Sequence, residues 1–159
     1  KEIKNESTYW IFFELLWRDY FRFIIGKFGR KIFYKQGLNF FKADVKHSTR
    51  NLNLWKNGET DNKFINAGMT ELKETGFISN RMRQIVASYL INEFSCDWRA
   101  GAAWFESQLI DYDVCSNQCN WAYIAGCGTD PRGGRHFNVE KQRKTYDPHS
   151  EYENFWNHS

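Results

Sequence analysis

The sequence predicts an all-α protein, and three observations predict it. Residues 1–130 contain no proline, the residue that removes a backbone donor and breaks helices. Apolar side chains recur at helical spacing in several stretches bounded by capping residues and glycines. No convincing pair of strand-like runs occurs. At 159 residues the chain is long enough for one domain with a real core, and several helices packed round an aromatic interior are expected.

Residues 8–25, TYWIFFELLWRDYFRFII, read as a helix with Thr8 as a possible N-cap and Gly26 as its end. It is apolar nearly all round and is therefore expected to be buried on most sides. Residues 26–60 are less regular and basic, and loops with short helices are expected there. Residues 62–75 read as an amphipathic helix on Phe64, Ala67, Gly68, Glu71 and Leu72, stopped by Gly76. Ser79 or Asn80 can cap the next helix, residues 81–94, whose stripe is Ile85, Val86, Tyr89 and Leu90. Asp97 is a good N-cap for residues 97–110. A short helix is read over 117–126. From GTDPRGGRHF onward the glycine and proline content predicts an extended tail with turns, residues 146–159 included.

Aromatics make up 18% of the chain, with seven Trp, eight Tyr and fourteen Phe. Such side chains bury large areas. The longest such run, YWIFF at 9–13, is far too short to span a bilayer. The opening KEIKNES lacks the apolar core of a secretory signal, and an intracellular location is expected. Blunt ends without an initiator Met suggest a piece of something longer. The four cysteines, Cys96, Cys115, Cys119 and Cys127, form no CxxC. Cys115 and Cys119 share a helix face, and with His136 a zinc site is conceivable. Buried, reduced thiols are the preferred reading. Net charge is +3, but residues 1–50 carry +6 and the remainder −3. The positive part could face phosphate, or it could be a solvated surface with scattered lysines.

The polar residues of the first helix are its informative ones: Glu14, Arg18, Asp19 and Arg22. Glu14 and Arg18 stand at i, i+4 with Trp17 between them, which fits either an internal ion pair or a cavity wall. Arg81 and Arg83 sit at a helix start, where the helix dipole disfavours cations. They are either exposed arginines or residues with anionic partners, Asp111 or Asp113 among the candidates. Asp111 and Asp113 are spaced i, i+2, so on one helix they would diverge. Either they serve two groups, or the helix breaks between them, or one large ligand lies along the segment.

Five stretches carry a resemblance: FELLWRDYFRF, LWKNGET, TGFISNRMRQIVASYLINEF, DWRAGAAWFESQLIDYDVCSNQCNW and GTDPRGGRHFN. Together they resemble the photolyase/cryptochrome family, of which the DASH-type branch is nearest, over roughly residues 7–156. The resemblance implies a helical domain that binds a bent FAD at the base of a cavity. It implies blue-light-driven electron transfer that splits cyclobutane pyrimidine dimers, in DASH members chiefly in single-stranded DNA. The damaged pair would be flipped out of the strand. A blue-light receptor or nucleic-acid-binding module without repair, or an inactive truncated relic, are the alternatives.

By the same resemblance, Asp111 pairs with Arg83 beside the isoalloxazine, Asp113 faces the adenosine side, and Asn117 stands near flavin N5. Arg18 falls on the flavin side. Trp121 is the proximal and Trp98 the middle member of an electron relay. Glu14, Trp17 and Asn80 contact the flipped dimer, and Gln84 and Tyr123 line that cavity. Arg81 and Gln142 fall at the DNA rim. The chain departs from the family pattern in three ways. The α/β antenna domain and the loop gripping the pyrophosphate are missing, so the antenna folate of many DASH members has no evident site. In GETDNKFINA, Asp61, Lys63 and Asn66 replace Gly, Pro and Asp, and an altered turn is expected. The outermost relay Trp would fall near Val45, and Gln118 and Cys119 replace an aromatic residue and a Gly.

Overall fold

The computed structural model describes residues 5–38 and 47–157, which are mostly helical, with no strand among them. The first helix, α1, runs Glu6–Phe28. Its cap lies three residues before the one read from sequence. The Asn5 side chain accepts from Thr8 N at 3.0 Å, while the Thr8 hydroxyl accepts from Asn5 N at 3.0 Å. Thr8 thus closes a reciprocal capping box from inside the helix. A 3-10 turn follows at Gly29–Phe33 and α2 spans Thr49–Asn57, so short helices do punctuate the basic segment. The position near Val45 lies outside the described residues.

The next three helices follow the sequence reading closely. Helix α3, Lys63–Thr75, is capped by Asn62 and stops at Gly76. That residue holds φ +70, a conformation open to glycine and costly for most others. Helix α4 spans Asn80–Asn92 with Ser79 as N-cap, and α5 spans Trp98–Gln108 with Asp97 as N-cap. Helix α6, Val114–Ile124, begins earlier than expected because Asp113 caps it.

The extended tail is a correction. Helix α7 forms at Val139–Tyr146 and α8 at Glu151–Trp156, and α8 packs on α3. Asp147 is the cause: its carboxylate accepts from Tyr152 N at 3.1 Å and Glu153 N at 3.0 Å, satisfying the donors of the new turn. Tyr152 then reaches across to donate to Glu71. Burial first, and Glu71 second, hold its phenol well above the usual range. Tyr152→Phe is expected to cost about 1.5–3 kcal/mol, the range for a hydrogen bond to a charged group, read as a lower Tm in a thermal melt.

The expectation for α1 also needs correction. Only its C-terminal half is held: Phe21 is buried, and Trp17, Ile24 and Ile25 pack on the core. Trp10 and Leu16 are each 50% exposed and Phe23 is 77% exposed. Glu14, Arg18, Asp19 and Arg22 are exposed as well. The apolar pattern marks a surface suited to burial, but among the described residues nothing covers its N-terminal half.

The core itself joins α2 to α6. Trp55 and Phe105 stack at 6.1 Å, and Trp121 meets them edge-on at 6.1 and 5.1 Å. Gly101 admits that indole: a Cβ there would fall 2.3 Å from Trp121 Cη2. The turn at 59–62 is not strained. Asp61 has a negative φ, and Asn66 ties the turn together by accepting from Thr60 N at 2.9 Å and donating to Thr60 O at 2.8 Å.

Candidate functional site

Two walls carry the candidate residues. The first is the seam between α1 and α6. Trp17 meets the Tyr123 ring edge-on at 5.9 Å. Further along, α6 carries Asn117 and Trp121 at i and i+4, one side of the helix, with Asp113 as its N-cap. Asn117 is 8% exposed; its amide donates to Ala102 O at 3.0 Å. Its carbonyl oxygen accepts no hydrogen bond from the described residues and is left for a ligand donor.

Asp113 is an N-cap before it is anything else: Oδ1 accepts from Ser116 N at 2.8 Å. That bond chiefly holds its carboxyl below the usual carboxylate range. Burial opposes the shift, and Arg22 and Arg18 reinforce it from α1. A depressed folded-state pKa means stability that is present above the unfolded value, about 3.9, and lost as pH falls through the folded one. Asp113→Asn keeps an N-capping side chain but not the charge. It is expected to flatten the fall of Tm below about pH 4 in a series of melts.

The second wall is the start of α4 with the connection between α5 and α6. Arg83 Nη2 donates to both oxygens of Asp111, at 3.0 and 2.9 Å. Arg83 Nε donates to Ile78 O at 2.9 Å, and its guanidinium lies 5.3 Å from the Phe77 ring centroid. Neither Asp111 nor Asp113 lies inside a helix: α5 ends at Gln108 and α6 starts at Val114, and both stand in the connection. One carboxylate therefore turns to Arg83 and the other to the α6 backbone. Arg81 takes a different course. It donates to Gln84 Oε1 at 3.1 Å and lies 5.8 and 5.6 Å from the Phe137 and Tyr146 rings.

The remaining sequence candidates are placed as follows. Glu14 is exposed and makes no ion pair with Arg18, whose Nε lies 3.3 Å from Asp19. The internal pair read from their spacing is thus not formed; the neighbouring carboxylate is nearer. Asn80 is exposed at the first position of α4. Gln142 sits on α7 with Oε1 buried and unpartnered among the described residues. Trp98 is buried, and its indole N–H donates to Lys35 O at 3.0 Å. It lies one turn from Gly101, which abuts Trp121.

Cys119 is buried, and burial raises its thiol to about 12. Among the described residues no three His, Cys, Asp or Glu side chains come together as a metal would need. No described helix is long and apolar enough to cross a membrane. Two residues escaped the sequence reading. Trp55 was hidden because one tryptophan in a polar helix carries no periodic signal. Arg135 was hidden because its segment reads as tail.

The fold is a helical domain that sets out an aromatic pair, an Arg–Asp pair and a free amide carbonyl as candidate ligand contacts. The chain matches the family model described as the FAD binding domain of DNA photolyase over residues 10–157. It belongs to the photolyase/cryptochrome family, of DASH type, and to the helical FAD-binding part of it. It is 52% identical to a cryptochrome DASH of Gloeobacter violaceus, covering 98% of this chain and 31% of that one. It is also 52% identical to one of Xenopus laevis, covering 96% and 29%. Among solved structures it superposes on a Synechocystis cryptochrome with TM-score 0.91 at 49% identity, over 98% of this chain and 32% of that one. An archaeal photolyase from Sulfolobus tokodaii, solved with two FAD molecules, gives TM-score 0.86 at 31% identity, over 97% and 35%. The chain thus spans about a third of the length of the relatives it matches.

Proposed function

We propose that this chain is part of a helical FAD-binding domain in a blue-light-dependent flavoprotein that splits cyclobutane pyrimidine dimers, with single-stranded DNA as the favoured substrate. The observation that carries the reading is α6. One helix, capped by Asp113, presents Asn117 and Trp121 along one side and sets Tyr123 against Trp17. Cofactor contacts and base contacts are then neighbours, as short-range electron transfer requires.

The residues fit FAD. The free Asn117 carbonyl, the Arg83–Asp111 pair, Arg18 and Asp113 would hold it, and FAD supplies the electron when bound. Asn117 would accept a hydrogen bond from the ring system, and Arg83, fixed by Asp111, would add positive charge beside it. Trp121 and Trp98 would serve as electron donors on the core side. Trp17 and Tyr123 would stack on the extruded bases, Glu14 would hydrogen-bond a base edge, and Asn80 and Gln84 would contact the same lesion. Arg81 and Gln142 would meet the backbone at the rim, positioning the strand without reading its sequence. An antenna folate would belong to the part of the relatives' length that this chain does not span.

The test has two stages. The chain is incubated with FAD and desalted, and visible absorbance reports retained flavin. Illuminated chain with reduced flavin is then given a single-stranded oligonucleotide bearing one thymine dimer. Glu14→Gln is expected to retain flavin and to lower the repair rate about 10- to 100-fold, the worth of one charge-assisted hydrogen bond. Undiminished repair in that variant would refute the role of Glu14. A colourless chain would confine the function to a longer protein.

A further inference from the structure

We propose that Arg135 is a positioning residue of the base-side wall. It fixes the Tyr123 ring against Trp17 and leaves the Tyr123 hydroxyl free to donate a hydrogen bond to a carbonyl oxygen of the extruded base. The inference rests on the reading of Trp17 and Tyr123 as base contacts.

Arg135 is held by its backbone between two helices. Its N–H donates to Ile124 O at 2.8 Å, and its carbonyl accepts from Ser88 Oγ at 3.2 Å and Asn92 Nδ2 at 3.1 Å. The loop that delivers it is tightly built: Gly126 has φ +70, and a Cβ there would fall 2.0 Å from Gly133 O. From this anchor, Arg135 Nη2 bridges two oxygens. It donates to the Tyr123 hydroxyl at 2.6 Å and lies 3.2 Å from Asp130 Oδ1. The guanidinium carbon is 5.1 Å from the Tyr123 ring centroid. The Asp130 side chain is 0% exposed, and its Oδ2 accepts from Gly134 N at 2.9 Å.

A buried carboxylate with a cation is a poor device for stability alone, because apolar packing of the same volume does as well or better. Here the pair has a directional product. The Tyr123 oxygen spends its acceptor capacity on Arg135, and no described residue accepts its hydrogen. A phenol that accepts from a guanidinium donates more strongly. The free O–H on a half-buried ring beside Trp17 therefore selects an acceptor, and among groups on a pyrimidine a carbonyl oxygen meets that requirement.

The experiment uses the full chain and a labelled single-stranded oligonucleotide with one thymine cyclobutane dimer, against its undamaged twin. Tyr123→Phe and Arg135→Met are each expected to lower the damaged-to-undamaged affinity ratio about tenfold, the loss of one hydrogen bond. The double variant is expected to be no worse than either single one, since the two act as a unit. The near-UV circular dichroism difference between wild type and Trp17→Phe reports the ring pair without any ligand. Arg135→Met is expected to lose most of it, and Arg135→Lys, which keeps a cation beside Asp130, to retain at least half. Additive losses, an intact difference spectrum in Arg135→Met, or an unchanged ratio in Tyr123→Phe each overturn the proposal. Where Arg135→Met fails to fold, Tyr123→Phe and Arg135→Lys still decide. A wild-type chain with no preference for the dimer refutes the base-side reading and the hydroxyl's role with it, while the dichroism arm still decides whether Arg135 sets the rings.

Discussion

Trp55→Ala is expected to be the most destabilising single change in the chain. The indole is 0% exposed, stacks on Phe105, meets Trp121 edge-on and donates to Val86 O at 3.0 Å. Truncating a buried tryptophan typically costs about 3–5 kcal/mol, the lost transfer energy plus the cavity left behind. Val86 O also loses a partner in the core. For a domain of this size each kcal/mol moves Tm by about 2–4 °C, so a fall of about 6–20 °C is expected in a thermal melt. Trp121, left with space on one side, should gain mobility, seen as altered tryptophan fluorescence. A shift under about 3 °C, the scale of a single kcal/mol, would show that the aromatic cluster does not hold the core.

Arg83→Met is expected to act on the cofactor rather than on the fold. Arg83 and Asp111 are only partly buried, with side chains 24% and 47% exposed. Exposed ion pairs contribute about 0–1 kcal/mol to stability, so the melt should scarcely move. The geometry is nevertheless specific: one nitrogen on both oxygens of Asp111, Nε on Ile78 O, and Phe77 beneath. A residue locked on three sides is well suited to present its charge to a ligand. Loss of one charge-assisted contact is worth about 1.5–3 kcal/mol, so FAD affinity should fall about 10- to 100-fold by fluorescence titration. A large fall in Tm with unchanged FAD affinity would reverse the assignment and make Arg83 structural.

The contrast between these two residues shows what the sequence made legible. Capping chemistry and apolar period are local, and they located α3, α4 and α5 within a few residues of Asn62, Ser79 and Asp97. Local chemistry missed the two last helices, Val139–Tyr146 and Glu151–Trp156. Glycine and proline there read as turns, whereas Asp147 organises α8 by capping it, and Glu71 reaches it from a distant helix. The residue types of the site and the pairing of Arg83 with Asp111 were legible through the resemblance, but the contacts of Asp113, Asn117 and Trp17 were not. Glu14 and Arg18 looked like a pair from spacing alone, yet Arg18 is drawn to Asp19, its immediate neighbour.

By itself the sequence determined the helical class, the family, and the identity of the charged and aromatic residues on α1, α4 and α6. These follow from period, caps and motifs, which lie along one chain segment at a time. Only the tertiary structure decided that Asp113 caps α6 and that Trp17 meets Tyr123. It alone placed Arg135 behind that pair. Each of these joins residues far apart in sequence or depends on where a helix stops, and the physical reason is the same. Distance, burial and competing partners are set by packing, and packing is not written in any single segment.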